Sequence, residues 1–313
     1  MLKTMKNAFP STYSWYQHVK RLFVIRRTNR LKHKTIEDYK IMLSKLYCKE
    51  IGHKIDWDHL STYTEKMQWA KLYDNNPLKS VLSDKYAVRN WVKTIIGDEH
   101  LIPILGVWNC FDEIDFSVLP KQFVLKTNHG SGTNLIVKDK NKLDLKNARR
   151  FFNDWMKIDF AFVNGFELHY SKIKPLIIAE QYMETANGEL QDYKFLCFDG
   201  KPYYCWVDIG RNTNHSRTVF DLDWNVQPWR QVSCPSYDKP IPKPQNYNKM
   251  IDIVTKLCQG FPHVRVDLYN VNGNIYFGEM TFSSGSGFNR IVPERYDMEL
   301  GALWDLSMKE VVM

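Results

Sequence analysis

Two patterns of apolar and polar positions follow one another along the chain, and the change falls near residue 101. Before it, apolar positions recur every three or four residues in IEDYKIMLSKLYCKE, STYTEKMQWAKLYD and SDKYAVRNWVKTIIG. This spacing predicts helices up to about residue 100, with Ser83 as the N-cap of the last. After it, short apolar runs such as QFVLKT, NLIVK and YKFLCF predict strands, with helices at about 144–158 and 247–258. The pattern therefore predicts an α+β protein.

The amino-acid composition indicates a folded protein with a large apolar core. The chain has 313 residues, of which 44% are apolar and 14% aromatic, so it can bury a large core and disorder is excluded. It contains no run of 18 apolar residues and no signal-peptide pattern at its start. Six scattered cysteines with no CxxC pair indicate reduced thiols, as in a cytoplasmic protein, rather than a disulfide frame or a zinc site.

The positive charge is concentrated in residues 1–34, which hold nine Lys or Arg and no acid. Without them the chain carries 34 basic and 35 acidic residues, so no basic footprint for nucleic acid remains. The segment also has helical apolar spacing, and either of two interpretations fits it. The helix docks on the anionic inner face of a membrane, or it packs its aromatic face on the rest of the protein. The apolar positions are Trp15, Tyr16, Val19, Leu22 and Phe23.

The stretch FVLKTNHGSGTN carries the first candidate chemistry. Alternation along the strand places Val124 and Lys126 on one face, and a loop of small residues follows before the next strand, NLIVK. Such a loop can bring several backbone N–H groups to one anion, and the lysine adds a positive charge. A Walker loop is excluded, because that motif leads into a helix. The sequence therefore predicts a phosphate flap, although a plain glycine-rich hairpin has the same pattern.

The segment VRVDLYNVNGNIYFGEMTF predicts a hairpin with an acid in each arm, Asp267 and Glu279. A two-residue turn at Asn272-Gly273 would send the two carboxylates to opposite faces, whereas a three-residue loop would set them opposite each other. Only the second arrangement makes a divalent cation site, and hard oxygen ligands suit Mg²⁺. Arg265 lies on the same face and would offset phosphate charge.

Further along, PLIIAEQYM (175–183) is an apolar strand that could offer its backbone edge to an adenine ring. Taken in chain order, the lysine strand, glycine flap, hinge strand and acidic hairpin resemble the ATP-grasp fold. The resemblance sharpens to the TupA-like ATP-grasp family of polysaccharide and teichuronopeptide clusters and covers about residues 45 to 300. It is carried by KLYDNNPL, LSDKYAVRNWV, LIPILGVW, FVLKTNHGSGTN, IIAEQYM, DYKFLCFDGKP, TNHSRTVFDLDW, GFPHVRVDLYNVNGNIYFGEMTF and GSGF.

The resemblance implies two α+β subdomains that clasp ATP behind a helical N-terminal extension. The implied boundaries are a basic helical region at 1–82 and an ATP-grasp domain at 83–313. Within the latter, 119–180 would bear the flap and 181–313 would bind the metal. The nucleotide contacts it implies are Lys85 and Lys126 at the α and β phosphates, His129, Gly130, Ser131, Gly132 and Thr133 over the β and γ phosphates, Glu180 and Tyr182 beside the adenine, and Glu184 or Asp192 at the ribose.

For the metal, the resemblance implies that Asp267 and Glu279 hold Mg²⁺. Two positions depart from the family pattern: Thr281 replaces the asparagine that would be the third ligand, and Ser284 replaces a proline. The resemblance also places two basic residues, His215 and Arg217, near the γ-phosphate and the acyl group.

The implied activity is an ATP-dependent carboxylate–amine ligase that works through an acyl phosphate. The family context implies that the carboxylate belongs to a uronic acid of a capsular or cell-surface glycan and the amine to an amino acid or similar compound. A sugar kinase or a glycosyltransferase of the same pathway, or a nucleotide-binding module without activity, are the alternatives. A glycosyltransferase would use a DxD loop, for which DLD at 221–223 is the candidate, although it is typical of a hairpin corner.

Overall fold

A computed structural model of the protein describes residues 10–183, 190–210 and 214–307. The helices found there are α1 (Pro10–Leu31), α2 (Ile36–Ile51), α3 (Tyr63–Tyr73), α4 (Leu78–Ser83), α5 (Val88–Ile96), α6 (Leu145–Trp155), α7 (Tyr247–Leu257) and α8 (Arg295–Ala302). The strands are β1 (Ile104–Trp108), β2 (Phe123–Thr127), β3 (Leu135–Val137), β4 (Ile177–Gln181), β5 (Asp192–Phe198), β6 (Lys201–Ile209), β7 (Ser216–Asp221), β8 (Arg230–Gln231), β9 (His263–Val271), β10 (Asn274–Thr281) and β11 (Ile291–Val292).

The change from helices to strands is confirmed, because α1 to α5 precede β1. One predicted cap is wrong. Ser83 ends α4, and α5 begins only at Val88 without a side-chain cap. Asp84 holds the intervening turn instead, since its carboxylate accepts the backbone N–H of Tyr86 at 2.8 Å. Residues 84–87 therefore form a link between two short helices.

The chain divides into two compact units. Unit 1 comprises Met1–Thr35, Asp84–Tyr86 and Pro103–Tyr182. It contains an antiparallel sheet in the order β1-β4-β2-β3, and α6 packs on one face of it. The strict alternation of β2 buries Phe123 and Leu125 against Phe152 of α6 and turns Lys126 to the other face, as predicted.

Unit 2 comprises Ile36–Ser83, Ala87–Ile102 and Met183–Met313. Its five-stranded antiparallel sheet has the order β10-β9-β5-β6-β7. One face is apolar and packs against α5 and α7, with Phe195, Val207 and Val266 at its centre. The other face has an apolar part and a charged part. The apolar part, around Trp206, packs against α3 and α8, and the rest of the face carries charged side chains. This charged part contains most of the residues predicted for catalysis.

The turn of the β9–β10 hairpin is the shorter of the two lengths considered from the sequence. The turn has two residues, Asn272 and Gly273, both with positive φ, as a tight hairpin turn requires. A bulge at Gly278 then shifts the register by one residue and sets Glu279 opposite Asp267. A Cβ at Gly278 would lie 3.0 Å from the Asp267 carbonyl oxygen, so glycine suits this close approach. The two carboxylates thus face each other, as a metal site requires, but through a two-residue turn followed by a bulge rather than through a three-residue loop.

The cysteines and the helices bear on two expectations drawn from composition: reduced thiols, and no segment that crosses a membrane. All six cysteines are free thiols, and four of them are buried, as expected of reduced core cysteines. Among the helices of the described ranges, none is both long enough and apolar enough to cross a bilayer.

Candidate active site

Unit 1 brings the predicted phosphate lysine and the predicted adenine-side acid into direct contact. Lys126 Nζ lies 2.6 Å from Glu180 Oε2, and both side chains are mostly buried. They meet because Val124 pairs with Glu180, and Lys126 is two residues further on the same face of β2. This ion pair fixes the lysine head beside Glu180 on that face of the sheet.

The glycine loop is held at both of its ends. Thr127 Oγ1 lies 2.9 Å from the His129 carbonyl oxygen and 2.9 Å from Thr133 Oγ1. Gly130 has φ of +77°, and a Cβ there would meet the Phe160 ring at 2.2 Å. The loop therefore closes on its own base, and Ser131 and Gly132 form its exposed tip.

Lys85 is placed at this loop although it lies more than forty positions away in sequence. Its ammonium donates to the Gly130 carbonyl oxygen, and its backbone N–H donates to the Asn128 carbonyl oxygen at 2.9 Å. Both lysines predicted to bind nucleotide thus belong to the immediate surroundings of the glycine loop.

His129 has an environment that sequence reasoning did not anticipate. It is 2% exposed, and its Nε2 lies 3.3 Å from the Trp155 carbonyl oxygen of α6. Burial lowers the pKa of His129 from its ordinary 6.5 to about 4, so the ring is neutral at pH 7. His129 therefore anchors the loop and offers no charge to a phosphate, which leaves the exposed tip and the two lysines for that role.

Asn128, which the sequence did not single out, connects the loop to its neighbours. Its Nδ2 donates to Asp84 Oδ2 at 2.9 Å and to the Lys174 carbonyl oxygen at 3.0 Å. Its Oδ1 accepts the backbone N–H of Leu176 at 2.7 Å. An asparagine between the strand FVLKT and the glycines was the available sequence signal, and the structure shows that it is fully buried. Asn128 therefore acts as a positioning residue for the loop and for Lys85.

The adenine expectation for 175–183 needs correction. β4 pairs with β1 on one side and with β2 on the other, so Ile177–Gln181 has no free backbone edge. The role of an adenine hinge would fall on the chain from Tyr182 onward, and Tyr182 remains a predicted contact. Glu184, one of two predicted ribose partners, lies outside the residues that the structure describes.

In unit 2, alternation and register place a row of charges across three neighbouring strands. Lys194 of β5 lies opposite Asp267 of β9, which in turn lies opposite Glu279 of β10. Lys194 Nζ is 2.5 Å from Asp267 Oδ2 and 2.6 Å from Asp192 Oδ2, and these three side chains are at most 3% exposed. Asp192, the other predicted ribose partner, is thus a buried partner of Lys194.

Arg265 is the centre of the candidate metal site. Its Nη2 lies 2.8 Å from Asp267 Oδ2, 2.9 Å from Glu279 Oε1 and 3.0 Å from Thr281 Oγ1. Oxygens of all three predicted metal ligands therefore converge on one cationic nitrogen. Arg265 Nη1 also donates to Ser284 Oγ at 2.6 Å, so the serine that departs from the family pattern has a structural role.

The electrostatics of this centre keep Asp267 ionised. Burial opposes ionisation of Asp267, but the charges of Arg265 and Lys194 outweigh it and hold the pKa of Asp267 well below its ordinary value. Within the described ranges no cluster of three His, Cys, Asp or Glu side chains has the arrangement of a metal site. Two carboxylates and one hydroxyl nevertheless fit Mg²⁺, which takes hard oxygens and few protein ligands.

His215 and Arg217 lie at the β6–β7 end of the same charged face. Arg217 donates two hydrogen bonds to the Asp208 carboxylate, at 2.6 and 2.7 Å, and another to Gln231 Oε1. His215 Nε2 lies 3.4 Å from Asp208 Oδ2, and its side chain is 39% exposed. Burial opposes ionisation of Asp208, but its hydrogen bonds to Arg217 keep its pKa below the ordinary value. Arg217 is committed to Asp208, whereas His215 is partly exposed and also has its Nδ1 3.6 Å from Cys234 Sγ.

A cavity of about 1040 Å³ occurs elsewhere in unit 1, between α1, β3 and α6. Among the residues that the structure describes, none of those predicted to bind nucleotide lines it. Size alone therefore does not locate the candidate site.

The structure thus contains the glycine loop with two lysines and the acidic hairpin from which the ATP-grasp resemblance was drawn. A family model described as TupA-like ATPgrasp matches residues 65–305, which is more than half of the chain. The chain belongs to the TupA-like ATP-grasp family, so the predicted family and its ATP-grasp fold are confirmed.

Solved structures with similarity to the chain include D-alanine–D-alanine ligase from Bacillus anthracis complexed with ATP. It is 17% identical, with 64% of this chain and 55% of that chain covered and a TM-score of 0.39. N5-carboxyaminoimidazole synthetase from Staphylococcus aureus complexed with ADP is 13% identical, with 74% and 53% covered and a TM-score of 0.39. The chain spans about half the length of such structures. No curated protein sequence matches it.

Proposed function

We propose that the protein is an ATP-dependent carboxylate–amine ligase that forms ADP and phosphate. A substrate carboxylate attacks the γ-phosphorus of ATP and releases ADP, which leaves an acyl phosphate. An amine then attacks the acyl carbon, loses a proton and expels phosphate, so an amide is formed. A carboxylate resists amines because its charge repels them and oxide is a poor leaving group, and phosphorylation removes both obstacles. The work left to the protein is positioning and charge neutralisation.

The observation that carries this proposal is the convergence of Asp267, Glu279 and Thr281 on the guanidinium of Arg265. Such a site holds two carboxylates beside a buried cation. It suits the transfer of a phosphoryl group, in which negative charge on the phosphate must be balanced. Mg²⁺, held by Asp267, Glu279 and the Thr281 hydroxyl, would supply further positive charge for the phosphates. Arg265 would neutralise charge on the transferred phosphoryl group, and the exposed His215 would contact the acyl group.

The nucleotide is assigned to the glycine loop and its two lysines. Lys85 and Lys126 would neutralise the α and β phosphates. The exposed backbone N–H groups at Ser131 and Gly132 would approach the β and γ phosphates, where a side chain would interfere. A closed loop would also exclude water, which otherwise hydrolyses an acyl phosphate.

The proposed substrates are a uronic acid of a capsular or cell-surface glycan and an amino acid or similar amine. The TupA-like family context supports this choice. The reaction is placed in the cytoplasm, and the basic residues 1–34 support a position at the inner face of the membrane, where a lipid-linked acceptor would be held.

A hydroxylamine trap tests the reaction. The protein is incubated with ATP, Mg²⁺, hydroxylamine and a panel of uronic acids, and nucleotides and hydroxamates are followed by mass spectrometry. ADP together with a hydroxamate is expected, and Glu279→Gln should abolish both. AMP with pyrophosphate would contradict the proposal. Acid-dependent ADP with a phosphorylated sugar and no hydroxamate would identify a sugar kinase instead.

The glycosyltransferase alternative depends on the DLD triplet. The Asp221 carboxylate accepts the backbone N–H groups of Asp223 and Asn225 at 3.0 and 2.8 Å. This use of Asp221 supports a hairpin corner rather than a metal loop for a nucleotide sugar. Loss of turnover in Glu279→Gln but not in Asp223→Asn would distinguish the ligase from that alternative.

A further inference from the structure

Helix α1 attaches to unit 1 through its polar residues. Ser14 Oγ donates to Asn147 Oδ1 at 2.6 Å, and His18 Nδ1 and Arg21 Nε lie 2.7 and 2.8 Å from Asp154 Oδ2. These three residues lie one helical turn apart and so share one side of the helix. The helix therefore packs on the rest of unit 1, but through these polar residues rather than through Trp15 and Phe23.

A neighbouring side of α1 presents large apolar side chains to solvent. Trp15 is 60% exposed, Leu22 47% and Phe23 70%. At 100° per residue, these positions fall within an arc of about 100° that begins about 40° from His18 and extends away from Ser14 and Arg21. Exposed aromatic residues concentrated on one helix face usually mark an interaction surface.

Basic residues share this side of the helix. Arg26 and Arg30 fall between Leu22 and Phe23 around the helix axis, and Lys20 lies at the border, and all three are exposed. No acid occurs in residues 1–34. We call the six residues Trp15, Lys20, Leu22, Phe23, Arg26 and Arg30 the outer face of α1.

We infer that the outer face of α1 docks on an anionic lipid bilayer, with its rings at the level of the headgroups. Charge complementarity favours this occupant: aromatic and aliphatic side chains enter the interfacial region while arginines and lysine pair with lipid phosphates. A second copy of this chain would bring the same basic residues together, so self-association is disfavoured. The inference deepens the proposed position at the membrane, but its test requires no turnover.

Vesicle co-sedimentation of the full chain tests the inference. The probes are vesicles of phosphatidylcholine alone and vesicles with about a third phosphatidylglycerol. Binding to the anionic vesicles is expected, and added salt should weaken it. Arg26→Gln with Arg30→Gln should weaken it about thirtyfold, because each basic residue near such a surface contributes about fivefold. Trp15→Ser with Phe23→Ser should weaken it about a hundredfold.

Matched controls keep the result specific. Lys142→Gln with Lys146→Gln removes the same charge from exposed sites of unit 1, and Val118→Ser alters a residue that is 72% exposed elsewhere in it. Both controls should bind as the parent protein does, and circular dichroism should be unchanged in every variant. Equal loss in controls and face variants would overturn the inference, as would a dimer in sedimentation velocity that Trp15→Ser with Phe23→Ser dissolves.

A fluorescence measurement shows whether the face enters the bilayer. Vesicles that carry brominated lipid acyl chains should quench part of the tryptophan emission of the parent protein. Trp15→Phe should lose that quenching while it keeps vesicle binding within about threefold, because phenylalanine retains most of the apolar surface. Unchanged quenching in Trp15→Phe would place the bilayer contact elsewhere and contradict the inference.

Discussion

Lys194 offers the sharpest test of the charged row in unit 2. Its ammonium lies between Asp192 and Asp267, at 2.6 and 2.5 Å, and all three side chains are buried. Lys194→Met keeps an unbranched side chain only one heavy atom shorter and removes its charge. Asp267 retains Arg265, but Asp192 loses the ammonium that its Oδ2 contacts. Breaking a buried ion pair from one side typically costs about 3–5 kcal/mol, and we expect a loss of that size in the free energy of unfolding at pH 8.

The assay is urea unfolding at pH 8 and pH 5, followed by circular dichroism. In Lys194→Met a buried carboxylate should have a raised pKa, so stability should be retained at low pH and lost as the pH rises through that pKa. The loss relative to the parent should therefore be smaller at pH 5. The double variant Asp192→Asn with Lys194→Met removes the second charge and should lose only about 1–2 kcal/mol. A loss below about 1 kcal/mol at pH 8, or equal losses in single and double variants, would refute the ion-pair account.

Three further predictions concern the loop, the metal site and a buried acid. Gly130→Ala should lower the free energy of unfolding by at least about 2 kcal/mol in a urea titration, because Gly130 has a positive φ and a Cβ there would meet Phe160. A Cβ at Gly132 would meet no neighbour, so Gly132→Ala should lower the free energy of unfolding by less in the same titration. Glu279→Gln should weaken Mn²⁺ binding about tenfold or more in paramagnetic relaxation with little change in thermal unfolding, since Glu279 is partly exposed; unchanged affinity would remove it from the metal site. Burial raises the pKa of Asp297 to about 6, so it contributes stability at acid pH that is lost as the pH rises through 6. Asp297→Asn should therefore be more stable than the parent by up to about 3 kcal/mol at pH 8 and lose that advantage below about pH 4, and a constant difference across pH would contradict the shift.

Local signals in the sequence predicted the parts of the site that depend on neighbouring residues. Alternation in β2 placed Lys126 correctly, and the Asn272-Gly273 dipeptide marked the hairpin. The bulge at Gly278 could not be predicted, because turn length alone sets the register only in an uninterrupted ladder. A sequence pattern therefore named the two acids, but the way in which they come to face each other depends on packing.

The contacts of the candidate site between strands distant in sequence could not be predicted from the sequence. The D-x-K pattern of Asp192 and Lys194 predicts that both side chains share a face of one strand. Their neighbour Asp267 follows from the strand order β10-β9-β5-β6-β7, which joins segments some seventy residues apart. Likewise, the spacing in α1 predicted an apolar face, but the side that docks is decided by Asp154, more than 130 residues away.

An oxygen-transfer measurement tests the central claim most directly. Once the trap has identified the acid, its carboxylate is labelled with ¹⁸O and the reaction is run with ATP, Mg²⁺ and the amine. An acyl phosphate predicts that one carboxylate oxygen leaves with phosphate, so each amide formed should release one phosphate with a single ¹⁸O. Label in AMP, or amide formed with unlabelled phosphate, would contradict the ligase mechanism assigned to Arg265, Asp267 and Glu279.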